Sequence, residues 1–239
     1  MKIKKMEKEN INIPARDLPM AEEKLGDFRS SFHWRIFRIL AEFVSGFQFL
    51  ADFRRTVTVF GSAQVEEDNH WYKESQKLAS LLSTADFGVV TGGGPGIMEA
   101  ANRGAVESNG DSIGLNIELP SEQRVNPFVQ KSVGFHYFFV RKVMLAYSAQ
   151  AYVFFPGGFG TLDEFFELIT LVQTKKIFVK IPIVMIGKEF WSPLFEWIKT
   201  DVYGKFNFIG KEDMRIYSIV DSAEEAFEII KNSPERKEF

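Results

Sequence analysis

The sequence contains no cysteine. That removes disulfides, thiolate metal sites, iron–sulfur clusters and any cysteine nucleophile, and it fits a reducing compartment. Histidine is scarce. His33, His70 and His136 stand far apart with no HxxxH spacing, so each reads as a surface or packing residue, and neither a metal site nor a cofactor is expected. Positive charge is not in surplus: 29 Lys and Arg against 32 Asp and Glu leave a net charge of −3. A broad nucleic-acid surface needs a basic excess to displace counterions, so no nucleic-acid partner is expected. Long uncharged apolar runs are missing too. The best membrane candidate, Phe32 to Phe53, carries Arg35, Arg38, Glu42 and Asp52. Met1-Lys2-Ile3-Lys4-Lys5 resembles the start of an export signal, but Met6 to Lys24 is polar, so a cytoplasmic protein without membrane contact is expected. Finally, no Gly-Lys-Ser or Gly-Lys-Thr occurs, which disfavours a P-loop and NTP hydrolysis.

What is present is an ordinary globular composition. The chain has 239 residues, 45% of them apolar and 26% charged. Its length suits one α/β domain burying roughly 70–75% of its unfolded surface. The unusual number is 25 phenylalanines.

Residues 1 to about 25, with Pro14 and Pro19, show no apolar period and read as an arm. Phe28, Phe32, Phe37, Leu40, Phe43, Phe47 and Leu50 then recur at helical steps, giving an amphipathic helix whose stripe is interrupted at Gly46. From Thr56 onward short apolar runs alternate with helical segments. The runs are Val57–Phe60, Phe87–Val90, Ile113–Ile117, Ala151–Phe155, Ile181–Ile186 and, weakly, Ile216–Val220. Helices are expected at about 69–84, 96–108, 138–149, 161–174, 191–200 and 222–231. Val133 to Phe139 reads as a short extra strand or an extended entry to its helix. The fold expected is α/β, a Rossmann-like doubly wound parallel sheet with helices on both faces, plus an N-terminal helical extension. Residues 1–55 would form the arm and helix, and 56–239 the Rossmann-like nucleotide-binding domain.

Three strand ends run into glycine: Phe60-Gly61-Ser62, Thr91-Gly92-Gly93-Gly94-Pro95-Gly96 and Pro156-Gly157-Gly158-Phe159-Gly160-Thr161. Ligands of open α/β sheets bind at this carboxyl edge, above all where the strand order reverses. If the order begins 3-2-1-4-5, the strands at 57 and 151 are neighbours and their loops share one crevice. Glycine suits a phosphate loop because its bare backbone lets amides point at an anion, and the following helix adds its dipole. A dinucleotide fingerprint is incomplete. Gly61 stands alone after the first strand, and Ile97 occupies the third glycine position after the second. Glu118, near the third strand's end, is the remaining support for an NAD-linked enzyme. Thr161-Leu162-Asp163-Glu164 has two readings: a capping box with Thr161 as N-cap, or a glutamate one turn into a helix, pointing past a bound phosphate.

At these residues the chain resembles the Lonely Guy (LOG) family of nucleotide phosphoribohydrolases, long labelled "possible lysine decarboxylases". The family motif PGGxGTxxE is matched by Pro156 through Glu164. The glycine triplet before a helix matches Gly92-Gly93-Gly94, in the form of the longer bacterial branch, and Phe60-Gly61-Ser62 matches the first-strand loop. The family's Arg-Lys pair falls at Arg141-Lys142, preceded here by Phe139-Val140 where short plant-type members carry a pair such as His-Glu. That departure bears on the base more than on the reaction. The resemblance spans roughly Thr56 to Lys231.

It implies hydrolysis of the N-glycosidic bond of a nucleoside 5′-monophosphate, AMP or an N6-modified AMP of the cytokinin riboside type, to free base and ribose 5-phosphate. By the same resemblance Glu164 and Arg141 would be catalytic, with Arg141 keeping Glu164 ionised. Gly157, Gly158, Gly160, Thr161 and Lys142 would take the phosphate side, Gly92, Gly93, Gly94 and Ser62 would cradle the nucleotide, and Glu99 would meet the ribose. No metal or cofactor is implied, and a homodimer or higher homo-oligomer is. Lysine decarboxylation would need a pyridoxal phosphate lysine site that the sequence does not offer. The alternative from another class is a non-catalytic nucleotide or molybdenum-cofactor carrier of the same fold. Phe128, Phe135, Phe138, Phe139, Phe155 and Phe159 are expected around the pocket.

Overall fold

The computed structural model describes residues 32–118, 125–177 and 181–235. The expected arm and Phe28 lie outside the described residues. Among the described residues seven strands, β1 (Thr56–Phe60), β2 (Gly88–Thr91), β3 (Ser112–Ile117), β4 (Lys131–Phe135), β5 (Ala151–Phe154), β6 (Ile183–Ile186) and β7 (Ser218–Val220), form one sheet in the order β4-β3-β2-β1-β5-β6-β7. Every pairing is parallel, and β1 sits between β2 and β5, with Val57 opposite Ala151 and Phe60 opposite Phe154. The order reverses between β1 and β5, so the crevice at their carboxyl ends is the switch point of the sheet. The ambiguous Val133–Phe139 stretch divides. Its first part belongs to β4, an edge strand with Lys131, Ser132 and Gly134 exposed, and a helix begins at Phe138.

Among the described residues seven α-helices cover the sheet: α1 (Phe32–Ala51), α2 (His70–Thr84), α3 (Ile97–Glu107), α4 (Phe138–Tyr147), α5 (Phe159–Gln173), α6 (Lys188–Trp197) and α7 (Ala223–Ile230). A π-helical stretch, Ile198–Lys205, prolongs α6. The pleat sends alternate residues to opposite layers. Val57, Val59, Val153, Val184 and Ile186 pack beneath Leu78 and Leu82 of α2, Ala101 and Ala105 of α3, and Ala226 and Ile230 of α7. Their neighbours Phe60, Tyr152, Phe154, Ile183 and Met185 pack against Leu50 of α1, Met144 of α4, Phe165 and Leu168 of α5, and Trp191 and Phe195 of α6. Each such large side chain contributes roughly 1.5–3 kcal/mol through burial.

Helix α1 joins the second of these layers. Gly46 is its point of closest approach rather than a fault in its stripe, since a Cβ there would lie 2.6 Å from the Met144 sulfur. Glu42 accepts hydrogen bonds from the His136 and Tyr137 amides (3.2 and 3.1 Å), tying α1 to the start of α4. The stripe divides between two environments. Phe43, Phe47 and Leu50 pack inward, whereas Phe32, Phe37 and Leu40 are exposed. No helix among the described residues is long and apolar enough to cross a membrane.

Candidate active site

The three glycine loops meet at the switch point, and hydrogen bonds through Ser62 join them. Its amide donates to the Pro156 carbonyl (3.0 Å), and its own carbonyl accepts from the Ile97 amide at the start of α3 (3.1 Å). Small residues permit this approach. A Cβ at Gly61 would sit 2.5 Å from Ile97, and one at Gly96, whose φ is +70°, would collide with the Ser62 carbonyl. Gly157 is pressed against the Thr161 hydroxyl and the Ser62 amide in the same way.

The loop after β2 is braced from beneath. The Thr91 hydroxyl accepts from the Gly93 amide (2.9 Å) and donates to Asn102 Oδ1 (2.7 Å). Asn102 Nδ2 donates to Ser112 (2.8 Å), and Asn126 Nδ2 donates to both the Gly94 carbonyl and Asn102 Oδ1 (2.9 Å each). This network is fully buried, where satisfied polar groups rigidify the backbone they hold. Gly92 makes room for the Arg141 guanidinium, Gly93 (φ +74°) lies on Asn116, and a Cβ at Gly94 would come 2.6 Å from Met98.

The loop after β5 differs. Helix α5 begins at Phe159 with Gly158 as N-cap, so no side chain caps its first turn. The capping-box reading of Thr161 and Glu164 is thereby overturned. The helix starts two residues before its expected beginning at 161, which places Thr161 in the third helical position and Glu164 a turn further along the same face. Both are nearly buried, at 6% and 7% exposure. A Cβ at Gly158 or Gly160 would meet nothing within 4 Å.

That open space belongs to a cleft of about 330 Å³. Gly92, Gly158, Gly160, Ser62, Gln64, Arg141, Thr161 and Glu164 form its polar side, and Phe60, Met98, Phe138 and Leu145 its apolar side. Arg141 donates from Nε to the Leu115 carbonyl (2.8 Å) and holds its guanidinium 6.0 Å from the centre of the Phe138 ring. Burial pulls its pKa down, opposed by the nearby Glu164 charge. Burial acts the other way on Glu164 and pushes its carboxyl up to about 7. Lys142 and Arg141 pull it back, while Glu167 and Asp163 push it further up. Arg141 therefore opposes the desolvation of Glu164 without overcoming it, and the carboxyl is near half-protonation at neutral pH.

The structure brings Glu164, Arg141, Thr161, Ser62, Gly92, Gly158 and Gly160 into one cleft. Gly93, Gly94 and Gly157 shape the loops behind its surface. Lys142 points elsewhere, to Asp163 Oδ2 (2.6 Å) and Glu167 Oε2 (3.0 Å). Glu99 is also outside the lining, half-buried on α3 and close enough to Tyr72 to bias its ionisation. Of the phenylalanines expected here only Phe138 lines the cleft. Phe135 and Phe155 are buried in opposite layers, Phe139 is half-exposed, Phe159 is 93% exposed, and Phe128 lies under Arg103. Phe60, Gln64, Met98, Leu145, Asn102 and Asn126 were not anticipated. A signal existed for Asn102, an amide on the apolar face of the expected 96–108 helix. Nothing local marked Asn126. Among the described residues no group of three or more His, Asp or Glu side chains converges as a metal-ligand set.

The chain is similar to several known proteins. A family model described as "Possible lysine decarboxylase" matches residues 98–230. The pyrimidine/purine nucleotide 5′-monophosphate nucleosidase of Escherichia coli strain K12 is 25% identical over 193 residues, covering 76% of this chain and 41% of the nucleosidase. The chain thus spans less than half the length of that relative. The cytokinin riboside 5′-monophosphate phosphoribohydrolase LOG of Oryza sativa subsp. japonica is 28% identical over 179 residues, covering 72% and 71%. Among solved structures, the molybdenum cofactor carrier protein of Chlamydomonas reinhardtii shares the fold, with a TM-score of 0.55 at 20% identity over 75% of this chain and 98% of that one.

Proposed function

Because the chain belongs to the "possible lysine decarboxylase" or LOG family, we propose that it hydrolyses the N-glycosidic bond of a nucleoside 5′-monophosphate, AMP or an N6-modified AMP, to free base and ribose 5-phosphate. The observation that carries this reading is a nearly buried carboxylate, Glu164, that lines one cleft together with Arg141 and the uncapped start of its own helix α5.

Such a bond breaks through an oxocarbenium-like transition state. In the proposed pose the 5′-phosphate lies on the first-turn amides of α5 and the Thr161 hydroxyl, in the space that Gly158 and Gly160 leave open. The ribose then spans the cleft toward Glu164. Ionised Glu164 stabilises positive charge at C1′ and takes a proton from water. The water oxygen bonds to C1′ as the C1′–N bond breaks, and the base leaves with the electron pair and takes up a proton from solvent as Glu164 returns its own to solvent. Phe60, Met98, Phe138 and Leu145 offer the base an apolar wall, while Ser62 and Gly92 border the nucleotide. Residues 56–239 are proposed as the catalytic domain and α1 as its appendage. A group poised near 7 suits a general base, and only its ionised form serves. kcat/KM is therefore expected to rise with pH and level off above about 7.

The test is incubation with a panel of nucleoside monophosphates, followed by chromatography. Free base and ribose 5-phosphate are expected, and Glu164→Gln should lower kcat by on the order of 10²–10⁴ with nucleotide binding retained in calorimetry. Binding with every nucleotide recovered intact would instead support the carrier reading, which the shared fold of the molybdenum cofactor carrier keeps in play.

A further inference from the structure

Helix α5 presents three carboxylates in five positions: Asp163, Glu164 and Glu167. They do not share one environment. Glu164 turns into the cleft, while Asp163 and Glu167, one helical turn apart, face α4. One cation meets both. Lys142 Nζ lies 2.6 Å from Asp163 Oδ2 and 3.0 Å from Glu167 Oε2, with its side chain only 17% exposed. Glu167 Oε2 is itself buried, and the Lys142 ammonium is the charge it meets there. The clamp lies outside the cleft lining, and two anions engage its ammonium, so Lys142 is poorly placed to meet a phosphate.

We infer that Lys142 is a positioning residue: by clamping Asp163 and Glu167 it shields Glu164 from two adjacent negative charges and so sets the pH above which the cleft carboxylate is ionised. The charged groups acting on Glu164 are Arg141 and Lys142 from α4 and Asp163 and Glu167 from α5. Arg141 reaches it from within the cleft, anchored on the Leu115 carbonyl. Lys142 acts from behind, both directly and by neutralising its partners. Removing Lys142 takes away one attraction and exposes two repulsions, which act in the same direction. An ion pair that merely joined α4 to α5 would leave the ionisation of Glu164 where it is.

The inference rests on the hydrolase reading for its kinetic consequence only, so the test has an arm that needs no turnover. Carbon-13 NMR of the side-chain carboxyls in the full chain, assigned with Glu164→Gln, gives the Glu164 titration midpoint directly. In Lys142→Met the midpoint should rise by about one pH unit or more. Lys142→Arg should restore it, and Glu167→Gln and Asp163→Asn, with Lys142 intact, should each lower it. The acid limb of kcat/KM should follow these midpoints, so that Lys142→Met loses about tenfold below the wild-type midpoint and recovers at alkaline pH. An unmoved midpoint in folded Lys142→Met overturns the inference. If that variant does not fold, an unmoved midpoint in Glu167→Gln and Asp163→Asn overturns it equally. A moving midpoint in a protein that hydrolyses no nucleotide would leave the clamp standing and remove the hydrolase reading.

Discussion

The loops after β2 and β5 are both glycine-rich, both open a helix, and both border the cleft, yet their glycines answer to different requirements. In the loop after β2 each glycine is required by the protein itself. Gly92 admits Arg141, Gly93 and Gly96 adopt positive φ against Asn116 and Ser62, and Gly94 gives way to Met98. In the loop after β5, Gly157 packs in the same manner, but Gly158 and Gly160 have neither a positive φ nor a neighbour to avoid. A glycine that folding does not need is one whose empty space a ligand can use. The comparison separates the scaffold of the site from the surface left for its occupant.

The two loops should respond differently to substitution. Gly96→Ala combines backbone strain with a collision on the Ser62 carbonyl and should cost roughly 2–4 kcal/mol, read as a lowered midpoint in urea unfolding. Unchanged stability would mean that the loop after β2 is not packed as described.

The helix of the open loop carries its own stored cost. Glu164 has a folded-state pKa of about 7, above its ordinary 4.5. Between those values the folded protein keeps a proton that the unfolded chain has lost, so the stability this group contributes is full below about pH 4.5 and is lost as pH rises through 7. Glu164→Gln should therefore unfold at higher denaturant than wild type above pH 7, by roughly 1–3 kcal/mol. The difference should vanish in acid.

A Cβ at Gly158 meets no neighbour, so Gly158→Val directs its side chain into the cleft. KM should rise on the order of tenfold while stability stays within about 0.5 kcal/mol. An unchanged KM in a folded variant would refute the phosphate placement. The smallest effect sharpens the contrast most. Gly160 is the second residue of α5 with open space before it, so Gly160→Ala should stabilise the fold by up to about 0.5–1 kcal/mol through helix propensity while weakening nucleotide binding several-fold. Thermal unfolding and calorimetry on one sample read both.

Much of this was legible in the chain because local period and local composition carry it. The runs at 57–60, 87–90, 113–117 and 151–155 alternate inward residues for two layers and became β1, β2, β3 and β5 within a residue or so at each end. The glycine loops were visible, as was Glu164 one turn beyond the third of them, whereas Arg141 was marked only by the family resemblance. The start of α5 was misjudged because Thr161 makes a good N-cap by type, whereas Gly158-Phe159-Gly160 lets the helix extend back to a cap with no side chain. The aromatic wall was misjudged because the pleat sends Phe155 to the layer opposite Phe154, away from the cleft, which adjacency in sequence does not reveal.

The division follows from the range of the forces involved. Periodicity, turn chemistry and the absence of cysteine are properties of neighbouring residues or of composition, so the sequence alone determined the α/β class, the element order and the three loops. The pairing of β1 with β5, the clamp of Lys142 on Asp163 and Glu167, the Asn126 brace and the proton on Glu164 depend on groups brought together from distant segments. Desolvation and charge act through space, and only the folded arrangement sets those distances.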